Sequence, residues 1–118
     1  MTPGFTLRPV EEADFEPLLD LSIRVLRADL EQVGRFDPDR RRSRMRAGFD
    51  PATLSAVECD GRLVGCIAAV PHVDHVEIHA FYLDPAVQGR GLGAAVFAAV
   101  AARHRGSVLR IEVLKGAA

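Results

Sequence analysis

YLDPAVQGRGLGAAVF, residues Tyr82 to Phe97, carries glycines at 89, 91 and 93, an arginine between the first two and an alanine-rich run directly behind. The apolar run ahead of it, Val76 to Leu83, reads as a strand, and behind it Leu92, Val96, Ala99, Val100 and Arg103 share one helical face. Strand, glycine turn and helix in that order leave several backbone N–H groups bare at a helix N-terminus, where the aligned peptide dipoles favour an anion. Glycine lets a ligand reach the main chain with no Cβ in the way, and Arg90 adds a side-chain cation. The stretch predicts a phosphate or pyrophosphate site, since a turn with no ligand would need only one glycine.

Two phosphate motifs can be compared with it directly. A nucleotide-triphosphate loop requires a lysine and a hydroxyl residue behind its last glycine, and Ala94 and Ala95 stand there instead. A dinucleotide fingerprint is formally matched by Gly89, Gly91 and Ala94, with Glu112 as its ribose acid. Its context is unfavourable, because Asp84 to Gln88 separate strand from glycine and few residues remain for further parallel strands.

The remainder of the chain sets bounds. Its 118 residues suit one domain with a single core, and a net charge of −1 offers no global field to recruit nucleic acid or an anionic membrane. No apolar run approaches the roughly 20 residues that cross a bilayer, and the N-terminal MTPGFTLRPVEEADF lacks a signal pattern, so a cytoplasmic location is expected. Asp60-Gly61 reads as a two-residue hairpin turn that pairs Cys59 with Arg62 and Cys66 with Ser55. Four residues of strand then hold the sulfurs roughly 13 Å apart, beyond bridging distance, as two reduced and half-buried thiols. No metal site is expected: the cysteines lack zinc spacing, and His72, Asp74 and His75 read as a polar turn.

Phe5 to Val10 reads as a short strand, with Glu11, Glu12 and Asp14 as the acidic start of a helix that carries Phe15, Leu18, Leu19, Ser22, Val25, Leu26, Leu30 and Val33 at helical spacing to Gly34. Asp37-Pro38-Asp39 predicts an N-cap, a first-position proline and a favourable acid for a second helix ending at Gly48. Its arginines, Arg40, Arg41, Arg42, Arg44 and Arg46, read as a solvated face partly neutralised by the acidic first helix, with selection of an anionic small molecule as the alternative. Thr53 to Cys59, Arg62 to Val70 and Val76 to Leu83 form an antiparallel meander, and Val108 to Val113 is a last strand.

From Phe5 to about Lys115 the chain resembles the GNAT superfamily of N-acetyltransferases. The likeness rests on Gln88-Gly89-Arg90-Gly91-Leu92-Gly93, which matches that family's pyrophosphate loop, on YLDP before it, and on the LRP strand, the hairpin around DGRLVG and the VEIHAFYL strand in the family's order. The resemblance implies an α/β fold of the α+β type: a mixed, mostly antiparallel sheet with helices on both faces, here shortened after the fifth strand. It implies acetyl-CoA as co-substrate, with the pyrophosphate on the amides of Gly89 to Ala94 and a binding stretch made of Phe81, Tyr82, Leu83, Gln88, Gly89, Arg90, Gly91, Leu92, Gly93 and Ala94. Phe81 and Leu83 would pair main-chain groups with the pantetheine arm where the fourth and fifth strands splay apart.

The implied reaction is direct transfer of the acetyl group to a primary amine. An amine with a pKa near 10.4 is protonated at neutral pH, so a base is useful. Glu77 stands eleven residues before Gln88, where the family's histone-acetylating members carry a catalytic glutamate, and His79 is the second candidate. Plain alternation puts Glu77, His79, Phe81 and Leu83 on one face of the strand. The family's usual C-terminal helix and its tyrosine acid have no counterpart, so the alternative is a shortened module that holds CoA or a partner without catalysis. An uncovered last strand also predicts a homodimer.

Overall fold

The computed structural model describes residues 4–32 and 37–111. Strand β1 (Thr6–Pro9) enters helix α1 (Phe15–Gln32) through a 3-10 turn, and helix α2 (Pro38–Ala47) follows. Strands β2 (Leu54–Cys59), β3 (Arg62–Pro71) and β4 (Val76–Leu83) form the meander; the glycine loop, helix α3 (Leu92–Arg103) and strand β5 (Leu109–Ile111) come next. The sheet runs β1-β2-β3-β4-β5, antiparallel throughout except that β5 lies parallel to β4. A parallel neighbour requires a crossover, which α3 supplies.

Two apolar clusters sit on opposite faces of this sheet, so helices cover both, as the sequence led us to expect. On one face Phe15, Leu18, Leu19 and Leu21 of α1 and Met45 of α2 pack on Ala56, Cys66 and Ala68. On the other, Leu92, Val96 and Val100 of α3 pack on Val57, Val64, Ile67 and Ile78. Helix α1 buries its i, i+3, i+4, i+7 stripe, and the hydroxyl of Ser22 inside that stripe donates to the Leu19 carbonyl at 2.9 Å. Helix α2 starts as its sequence dictates: Asp37 Oδ1 accepts from the N–H groups of Asp39 and Arg40 at 3.0 and 3.3 Å, and Pro38 takes the first turn.

Three expectations need correction. Asp60 and Gly61 adopt the left-handed φ values, 52° and 75°, of a primed hairpin turn, and Cys59 pairs with Arg62. A bulge then places Val57 opposite Gly65 while Glu58 faces Leu63, so Cys66 pairs with Ala56 and not with Ser55. Both cysteines are free but buried rather than half-buried, Cys66 fully so, and burial pushes the Cys66 thiol up to about 12. The third correction is in β4. Cys66 pairs with Tyr82 but Ala68 pairs with His79, so one residue of β3 faces two of β4, and Ala80 takes a φ of 50°.

That bulge inverts the side-chain alternation. Val76 and Ile78 lie in the α3-side cluster, so Glu77 and His79 face the α1/α2 side; beyond the bulge Ala80 and Tyr82 face α1/α2, and Phe81 and Leu83 face α3. The four residues expected on one face are therefore split between two. Gly65 makes the neighbouring main chain possible, because a Cβ there would run into the Tyr82 carbonyl. Val108 and Ile111 are exposed at the β5 edge, the surface on which the expected homodimer rests. Val33, Gly34, Glu112 and Val113 lie outside the described residues. No helix among the described residues is long and apolar enough to cross a membrane.

Candidate functional site

Strand β4 ends at Leu83, and Asp84 caps the short turn that follows by accepting from the Ala86 N–H at 3.0 Å. The Gln88 side-chain amide reaches back to the Leu83 carbonyl at 2.8 Å, tying the loop to the strand end. Gly89 and Gly91 then adopt φ values of 80° and 78°, a left-handed conformation in which a Cβ is penalised. Gly91 is the N-cap of α3, whose first bond runs from the Ala95 N–H to the Gly91 carbonyl at 3.1 Å. The N–H groups of Gly89, Arg90, Leu92, Gly93 and Ala94 have no main-chain acceptor among the described residues, and the loop from Gln88 to Gly91 is exposed. An anion laid across this corner meets bare donors and the positive end of α3.

The three glycines serve different purposes. Gly89 and Gly91 are required by φ, while a Cβ on Gly93 would meet only Leu83 Cδ1 at 3.6 Å, an ordinary contact. Neither backbone conformation nor internal packing demands glycine at 93. Leu92 contributes its N–H alone, since its side chain is in the core. Ala94 is exposed on the first turn, and Arg90 is exposed beside the loop.

Among the described residues β5 pairs with β4 through Val76, Glu77 and Ile78. Asp84 donates its N–H to the Val64 carbonyl at 2.7 Å, so by alternation Tyr82 also turns its main chain to β3, and Phe81 and Leu83 turn theirs away from β3. The Leu83 carbonyl is occupied by Gln88, and the Phe81 main chain has no partner on the described part of β5. Main-chain groups on this edge of β4 suit pairing with an extended chain.

Glu77 and His79 lie at the other end of this edge, on the α1/α2 face. The Glu77 side chain is about one-third exposed and its Oε1 sits 3.7 Å from His72 Nε2. The His72 and His75 rings stack at 4.6 Å, and His75 Nδ1 bonds Asp74 at 2.6 Å, which holds that carboxyl below its ordinary value. Among the described residues no His, Cys, Asp or Glu group of three is arranged to hold a metal.

A family model, the acetyltransferase (GNAT) family, matches residues 19–116, more than half of the chain. This chain belongs to the GNAT acetyltransferases. Solved structures agree on the fold. A Pyrococcus horikoshii protein assigned as an acetyltransferase superposes with a TM-score of 0.73 at 19% identity, covering 98% of this chain and 83% of its own. A second from that organism gives 0.72 at 18% identity over 95% of this chain but only 39% of its own length. The PaiA N-acetyltransferase of Thermoplasma acidophilum, solved with coenzyme A, gives 0.65 at 15% identity over 95% of this chain and 80% of its own. No curated protein matches the sequence.

Sequence reasoning placed the glycine turn between its strand and helix but missed two features beside it. The bulge at Ala80 has no local signal, since alanine is not a residue that favours left-handed backbone. The second is the placement of Tyr82, which the bulge turns toward α2; the Arg41 guanidinium lies 5.8 Å from its ring centroid, and burial raises its phenol.

Proposed function

We propose that this chain transfers the acetyl group of acetyl-CoA directly to a primary amine, without a covalent enzyme intermediate. The observation that carries the reading is the run of N–H groups from Gly89 to Ala94 without a main-chain acceptor among the described residues, beside the end of β4: the loop suits the pyrophosphate, and the β4 edge the amide-bearing pantetheine arm. Coenzyme-bound relatives of the same fold support it. Along that edge the thioester would fall at the bulge, and the Phe81 N–H, turned away from β3, would stabilise negative charge developing on its oxygen. Glu77, on the acceptor-facing side, would take the amine proton directly or through water, with His79 as the second candidate. Acetyl transfer then forms an N–C bond, breaks the C–S bond and releases CoA as thiol or thiolate.

Titration calorimetry with acetyl-CoA followed by a thiol-release assay over a panel of amines tests this. Saturable binding together with release that depends on one amine class supports the enzyme. Binding without release for any amine overturns catalysis and leaves a coenzyme-holding module. No binding at millimolar acetyl-CoA overturns both.

A further inference from the structure

The five arginines of α2 and its first turn are not equivalent in the fold. Arg42 pairs with Glu16 through both terminal nitrogens, and Arg46 does the same with Glu12 at 2.8 Å. Arg40 and Arg44 are exposed. Arg41 instead occupies an inward position of the helix, in register with buried Met45 and half-buried Phe49 at four-residue spacing. Its guanidinium lies over the Tyr82 ring, and its Nε is buried with no hydrogen-bond partner among the described residues. A donor nitrogen taken out of water needs an acceptor, and among the described residues the protein sets an aromatic face and no carboxylate beside this one. Tyr82, whose phenol stays protonated, offers a second donor beside it.

Both groups stand on the face of β4 that carries Glu77 and His79. From Ala80, at the bulge, to Tyr82 is two residues, roughly 7 Å of strand. We infer that Arg41, assisted by the Tyr82 hydroxyl, receives a carboxylate of the acceptor, so that the amine acetylated belongs to an amino acid or short peptide with a free carboxylate near it. Guanidinium is suited to this because its planar donors match two carboxylate oxygens. The inference rests on the acetyl-transfer reading and narrows its substrate class.

Tyr82 is the one tyrosine and the chain has no tryptophan, so the tyrosine difference spectrum reports this spot alone. The CoA-saturated protein is titrated with N-acetylglycine, N-acetyl-β-alanine and N-acetylglycylglycine, each against its carboxamide. At least one acid should perturb Tyr82 with tenfold or greater preference over its amide. Arg41→Ala should abolish that preference, Arg41→Lys should keep part of it, and Arg40→Ala should keep it all. Circular dichroism and melting curves establish that Arg41→Ala remains folded. Equal response to acids and amides, or a preference that survives in Arg41→Ala, overturns the inference. Coenzyme calorimetry run on the same samples separates the failures: loss of CoA binding defeats the acetyl-transfer reading, whereas intact CoA binding without acid preference defeats only the role of Arg41.

Discussion

The two faces of the sheet are built for different kinds of recognition. Under α3 the packing is apolar, formed by Leu92, Val96 and Val100, and the polar groups on offer are main-chain donors of the loop. Under α1 and α2 the surface is laced with side-chain charge: Arg42 with Glu16, Arg46 with Glu12, and the Arg8 guanidinium with Asp14 at 2.7 and 2.9 Å. Backbone donors do not depend on residue identity, so the α3 side suits a ligand common to a whole family. Side chains can be exchanged one by one, so the α1/α2 side suits the partner that differs between members. Substitutions on the first face should therefore act through conformation and close approach, and on the second through charge.

Gly91→Glu is the most direct way to break the coenzyme side. It puts a side chain on a residue at φ 78° and a negative charge where an anion should sit, so acetyl-CoA affinity measured by calorimetry should fall at least 100-fold. Glu77→Gln addresses the opposite face: turnover at neutral pH should drop by about 100-fold with coenzyme affinity unchanged, and wild-type turnover would remove Glu77 as the base.

Asp14 tests whether the charged face is also a structural one. This carboxyl is buried, takes two hydrogen bonds from Arg8 and one from the Glu11 N–H at 2.7 Å, and is held below its ordinary 3.8 chiefly by the Arg8 hydrogen bond. Its stabilisation is complete above that ordinary value and is lost as pH falls through the lower folded value. Asp14→Asn should cost about 2 kcal/mol in urea unfolding at pH 7, and the wild type should lose this advantage on acidification below pH 4. A variant equally stable at pH 7 would show that the ion pair contributes nothing net.

Gly93→Ala sharpens the contrast with the smallest effect and opposite signs. A methyl group there meets only an ordinary contact inside the protein and favours the helix, so stability should rise by up to about 1 kcal/mol. Coenzyme affinity should nevertheless fall, because that methyl occupies the approach to the Gly93 main chain. A rise in both would mean that the third glycine has no part in binding.

Local chemistry made much of this readable beforehand. The Asp37-Pro38 start of α2, the Asp60-Gly61 turn and the β4 bounds each follow from residues that satisfy or strain their own backbone, and the structure places them as expected. The alternation of β4 did not follow, since Ala80 is held left-handed by its neighbours. There Cys66 donates to the Ala80 carbonyl at 3.3 Å and Gly65 lets the β4 main chain come close, neither of which a reading of β4 alone contains.

Periodicity, capping residues and the glycine spacing by themselves determined the element order and the strand, glycine turn and helix in sequence, because each depends on contacts between residues near in the chain; the helices on both faces followed from the family resemblance. Which α2 arginines pair with α1-side carboxylates and which lies over Tyr82, and which face Phe81 and Leu83 share, only the tertiary structure decided. Those outcomes are set by side chains from distant segments competing for the same space and charge, and one extra residue in a strand is enough to reverse them.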